Sequence, residues 1–205
     1  MQFHKIGTTV GAAVTAAIVV LGMMTAAPAA ADTIAGSSTP TLPDRTWAAL
    51  GDGIGTGGVF DGDVPRRAGV PEGLIDDFAT GWSAEGGSVT GAAVDTAVVE
   101  RARAAQASVR SCVGKNRLDY TGIQINLYLN SCKAASVLGL VTSGAGIAVI
   151  AAAVTAATGV GALAAGVIAG VLGVSAGVLT SCTARGRGIA AHNIPPSAVM
   201  WCNNQ

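Results

Sequence analysis

The pattern of apolar and polar positions divides the chain into segments of different character. From Asp32 to about Gly91 apolar residues are scattered, at no helical or strand period, among Gly, Pro, Asp, Ser and Thr. Such a stretch buries too little apolar surface to offset its ordering entropy. It is therefore expected to be an acidic, Gly/Pro-rich disordered region over 32–91, with Trp47, Phe60, Phe78 and Trp82 docking locally and one helical turn in "PEGLIDDFATGW". Next, Val94, Val98, Ala102, Ala105 and Val109 recur at three- and four-residue steps, which predicts an amphipathic helix over roughly 92–110. In "TGIQINLYLN" Ile123, Ile125, Leu127 and Leu129 alternate with polar or amphipathic residues, so a small β-hairpin follows, its turn placed at "DYTG".

Residues 134–180 then run for 47 positions without Asp, Glu, Lys or Arg, broken near the middle by "ATGVG" at 157–161. Each arm has about twenty residues and, at about 1.5 Å per residue, the reach to cross a hydrocarbon layer of about 30 Å. The tail offers two more strand-like pieces, "GIAAH" and "AVMW", separated by Pro195 and Pro196, which cannot sit inside a paired central strand. The expected fold is mainly α: a hydrophobic Gly/Ala-rich helical hairpin (134–180) flanked by two small disulfide-closed β-hairpins, preceded by the amphipathic helix and the disordered acidic region, with 92–205 as the folded part.

The run holds nine glycines, each costing up to about 1 kcal/mol in a water-exposed helix. Small residues instead let helices approach closely. Gly166 with Gly170 and Gly173 with Gly177 form small-xxx-small pairs, and Gly144, Ala148, Ala152 and Ala156 give the other arm a matching stripe. The alternative, a buried centre of a soluble domain, needs a coat, and the 92–110 helix is the one obvious candidate.

The first residues "MQFHK", an apolar run from Ile6 to Met24 and Ala29-Ala30-Ala31 before Asp32 have the form of a signal peptide over 1–31; an uncleaved anchor is the alternative. The expected location is secreted or cell-envelope. All four cysteines lie beyond the cleavage point and are read as two disulfides of an oxidising compartment. Cys112 to Cys132 and Cys182 to Cys202 span twenty positions each, and each first Cys is followed at three and five residues by basic side chains, Lys115 and Arg117, Arg185 and Arg187. This suggests a duplicated clasp bridged 112–132 and 182–202, with 132–182 and 112–202 as the other pairing.

The net charge of zero conceals an asymmetry. Residues 32–105 hold eleven acids against five Arg, a net −6, while 106–205 hold six bases against Asp119, a net +5. The acidic part is a candidate pro-segment, cut near Arg66-Arg67 or at Arg101 to Arg103. Familiar chemistry is sparse. "GIGTGG" (53–58) lacks the preceding strand and following helix of a dinucleotide site. Asp52, Asp61 and Asp63 do not repeat as a calcium motif. The cysteines lack zinc spacing. His192, the one imidazole after the signal peptide, is expected at a strand end on the surface, without a nucleophile elbow. No cofactor, metal, enzymatic activity, small-molecule substrate or nucleic-acid partner is expected.

In layout, residues 112–205 are similar to secreted bacteriocin-like and colicin-like proteins, in which a cationic soluble part carries a hydrophobic hairpin. That likeness implies membrane activity, and the expected function is that of a secreted, non-enzymatic protein that binds anionic membranes through a cationic face and inserts the helical hairpin. Its expected partners are an anionic lipid bilayer, met by Lys115, Arg117, Lys133, Arg185, Arg187 and Trp201, and further copies of itself by self-association. The alternative is a structural or channel component of the producer's envelope.

Overall fold

Pro43 and Pro71 each stand immediately before a helix, where a fixed φ and a missing N–H cost nothing, and those two helices open the fold. The computed structural model describes residues 42–159, 176–183, 186–194 and 200–205. In chain order they form α1 (Asp44–Asp52), β1 (Val59–Asp61), α2 (Asp63–Arg67), α3 (Glu72–Ala84), β2 (Ser88–Thr90), α4 (Thr96–Ala107), β3 (Arg117–Thr121), β4 (Gln124–Leu129), α5 (Ser131–Thr142), α6 (Ile147–Thr158), α7 (Ala176–Thr183), β5 (Ile189–Asn193) and β6 (Met200–Asn204). The strands make a parallel pair, β1-β2, and an antiparallel sheet in the order β3-β4-β5-β6. The signal peptide expected over 1–31, with Gly166, Gly170, Gly173 and Arg185, lies outside the described residues.

This overturns the mainly α reading and, with it, the disordered acidic region. Between 42 and 91 the chain supplies three helices and the two-stranded sheet. Ile75, Phe78, Ala79 and Trp82 fall at helical spacing on α3 and are all buried, together with Trp47 and Leu50 of α1. Phe60 and Phe78 meet with ring centroids 5.0 Å apart and planes tilted by 42°, a favoured aromatic arrangement. Trp82 donates its indole N–H to the Gly58 carbonyl at 3.0 Å. The scattered aromatics are one core, assembled from α1, β1 and α3.

That core coats the first part of the uncharged run, α5 and α6. Every residue of α6 from 148 to 155 is buried. Helix α3 lies against it so closely that a Cβ on Gly81 would fall 1.8 Å from the Val149 carbonyl oxygen, so glycine is the residue that permits this approach. Helix α5 lies beside α6, α4 packs on both α5 and α3, and β4 contacts α5 and α6. The neighbours form a ring, α3-α6-α5-α4, with the sheet applied to it.

The expected first arm is therefore two short helices separated by a turn through Gly144 (φ +76°). A left-handed Gly159 (φ +67°) ends α6 inside the expected break. Ala148 and Ala152 are buried, Ala156 is half-buried, and Gly177 lies in α7. At twelve residues α6 is about 18 Å long, short of the roughly 30 Å of a hydrocarbon core. Among the described residues no helix is long and apolar enough to cross a membrane, which corrects the expectation for the first arm; residues 160–175 of the second arm lie outside the described residues.

The two hairpins are also not separate: β4 pairs with β5, Leu127 opposite Ala191 and Leu129 opposite Ile189, placing these four buried side chains on the core face. The suggested cleavage points fall within α2 and α4. Arg66 pairs with Asp63 and Glu72 and donates to the Gly91 carbonyl at 2.8 Å. The hydrogen bond to Glu72 holds the Arg66 guanidinium above its ordinary pKa and the Glu72 carboxyl below its own. Removing this half would strip α3 from α6.

Gly81→Ala is expected to cost about 3 kcal/mol or to abolish folding, as overpacking against rigid backbone does. Gly73→Ala, on the same helix with open space around the added methyl, should be neutral or stabilising by up to about 1 kcal/mol. Thermal melts followed by circular dichroism distinguish the two outcomes.

Candidate functional site

The sheet register collects the clasp residues at one end. Arg117 opens β3 opposite Tyr128, Leu129 closes β4 opposite Ile189, and Ile189 faces Asn204 near the end of β6. The loop before β3 is fastened to the start of α5 by Cys112–Cys132. Around that bridge, Ser131 N–H donates to the Val113 carbonyl at 2.8 Å, and the Ser131 hydroxyl accepts from Val113 N–H at 2.9 Å while donating to the Ser111 carbonyl at 2.8 Å. Asn130 caps α5 through Lys133 N–H at 2.9 Å. The second bridge, Cys182–Cys202, ties α7 to β6.

One side chain joins the clasps. Gln205 accepts from Lys115 N–H at 2.7 Å, and the two hydrogens on its Nε2 are shared among the carbonyls of Lys115, Leu129 and Ile189 at 2.8–3.0 Å. Gly188 completes the junction. Its φ of +88° lies in the left-handed region, and a Cβ there would sit 2.4 Å from the Leu129 carbonyl oxygen, so a side chain is excluded on both counts.

The expected lipid-facing cations divide into two groups. Lys133 pairs with Glu85, whose side chain is fully buried, and Arg117 bonds Asp119 at 2.8 Å and lies 4.6 Å above the Tyr128 ring. Arg110, Lys115 and Arg187 are exposed and enter no ion pair among the described residues. Gly114 packs against the Arg187 carbonyl, so the loop carrying Lys115 touches the turn carrying Arg187. Arg110 was not among the expected site residues, although the charge count of this half already included it. Val113, 46% exposed, adds an apolar side chain beside them.

Sequence reasoning also missed a polar cluster on the sheet face away from the helices. His192 is buried there, not at a surface strand end. Its Nδ1 lies 2.6 Å from Asn126 Oδ1 and 3.1 Å from Gln124 Nε2, and its Nε2 lies 3.0 Å from Asn203 Oδ1. Asn126 donates to the Thr121 hydroxyl at 3.0 Å. Trp201, 41% exposed, stacks on the imidazole at 5.2 Å between centroids, and Tyr128 approaches it edge-on. The cluster bonds to itself and fixes the strand register. Among the described residues no three His, Cys, Asp or Glu side chains gather as metal ligands. No protein-family model, curated protein or solved structure matches the chain.

Lys133→Met is expected to cost about 3–5 kcal/mol by leaving the Glu85 carboxylate buried and unpaired. Adding Glu85→Gln should restore most of that loss in the same urea titration. Replacing Cys112 and Cys132 together by Ser should cost about 3 kcal/mol, the loop-entropy value for a ring of this size. Denaturation midpoints of the parent and double variant measure it.

Proposed function

We propose that this chain is an exported, non-enzymatic protein that binds anionic membrane surfaces peripherally through the cationic end of its sheet. One observation carries the reading: exposed Lys115 and Arg187, which enter no ion pair among the described residues, stand on a loop and a turn that touch at Gly114 and that the Cys112–Cys132 bridge and Gln205 tie down, with Arg110 two residues before that bridge. A rigid, disulfide-closed scaffold suits an oxidising exterior. Each cation near an anionic leaflet contributes about 1 kcal/mol, screened within a Debye length. Val113 beside them supplies apolar area for the interface. Folded helices stay folded in this mode, since the contact uses loop 110–115 and turn 186–188.

Co-flotation with vesicles is the test. The full mature chain should float with phosphatidylglycerol vesicles at low salt, lose most binding when salt is raised about tenfold, and ignore phosphatidylcholine vesicles. The triple variant Arg110→Gln, Lys115→Gln, Arg187→Gln should bind about 100-fold more weakly. Equal flotation with neutral vesicles, or none with anionic ones, rejects the reading.

A further inference from the structure

Beside the cationic loop the structure holds a cleft of about 190 Å³. Among the described residues it is lined by one stripe of α5, Ala134, Ala135 and Leu138, by Val109 and by the turn residues Gly186 and Gly188. The two hydroxyls at its edge, Ser131 and Thr183, are engaged with backbone, the first at Ser111 and Val113, the second at the Thr180 carbonyl. A cleft of this chemistry holds ordered water poorly and favours an apolar guest. By scaling from a cavity of about 150 Å³ that accepts benzene, it takes about seven carbons. Two exposed cations adjoin it in the chain: Arg110 directly follows Val109, and Arg187 stands between Gly186 and Gly188.

From this juxtaposition we infer that the cleft binds the chain of a single medium-length fatty acid, its carboxylate held outside by Arg110 and Arg187. The volume admits one chain and not the paired chains of a bilayer lipid. Charge complementarity selects an anionic head over a neutral or cationic one. The inference does not need the membrane reading: a protein that takes the fatty acid and ignores vesicles keeps the one and loses the other.

Calorimetric titration of the full mature chain with hexanoate, octanoate, decanoate and 1-octanol, all below micelle formation, tests it. Affinity should rise about fourfold per added methylene up to about octanoate, the value for burying one CH₂, then level off toward decanoate. Octanol should bind at least tenfold more weakly, and Arg110→Gln with Arg187→Gln should bring octanoate down to octanol. Ala135→Phe, at a half-buried position, should fill the cleft and abolish octanoate binding with the melting temperature unchanged; Leu138→Trp serves if that variant does not fold. No saturable binding at any length, affinity that keeps climbing fourfold per methylene beyond decanoate, or octanoate binding that survives a folded cleft-filling variant overturns the inference. So does a result in which octanoate fails while cleft-filling abolishes vesicle flotation, which assigns the cleft to a membrane chain.

Discussion

The backbone contact between Gly81 and Val149 is the constraint on which the rest of this structure turns. A helix such as α6, with no polar face, is stable in water only when covered on every side. The covering helix must come close enough to exclude solvent, because a gap forfeits dispersion contacts and leaves apolar area hydrated. Alanine side chains on α6 and glycine on α3 make the approach possible. The aromatics of the acidic half then complete the seal, with Phe78 and Trp82 on the same helix as Gly81. The two halves, opposite in charge by count, are one packed body, and the buried Glu85 paired to Lys133 joins them.

The sheet poses a second problem of the same kind. Four short strands drawn from two hairpins about sixty residues apart in sequence must find one register, and a slip of one residue would turn Leu127 and Leu129 outward. Two devices oppose that slip. On one face the core accepts only the Leu127, Leu129, Ile189 and Ala191 set; on the other, His192 meets Asn126 and Asn203 in one alignment. The disulfides and Gln205 then fix the strand ends, and the exposed cations inherit their spacing from that junction.

What could be read in the sequence follows the range of the interactions involved. Local periodicity marked the positions of α4 and β4, and a glycine break marked the end of α6 at Gly159. Equal cysteine spacing pointed to the bridges that form. The elements between 42 and 91 were not legible. Helices α1 and α2, of nine and five residues, carry too few turns for a period to stand out, and the glycines within α3 and between the elements resemble linker composition. The joining of β4 to β5 and the burial of His192 were hidden for a different reason. Each depends on a partner sixty or more residues away, and no local pattern encodes a distant register. Of the candidate site, the cations were visible as residue types, but which of them are neutralised was decided by Glu85 and Asp119 in space.

The make-up of α6, six alanines in twelve residues, has a consequence outside the folded state. A protein that passes through a translocation channel before folding presents each hydrophobic stretch to the lipid at the channel's side, where Leu- or Phe-rich segments are retained. Alanine is greasy enough to fill a tightly jacketed interior and too weakly so to halt passage. For the exported chain proposed above, larger side chains that would strengthen this interior would therefore come at the risk of arrest during passage.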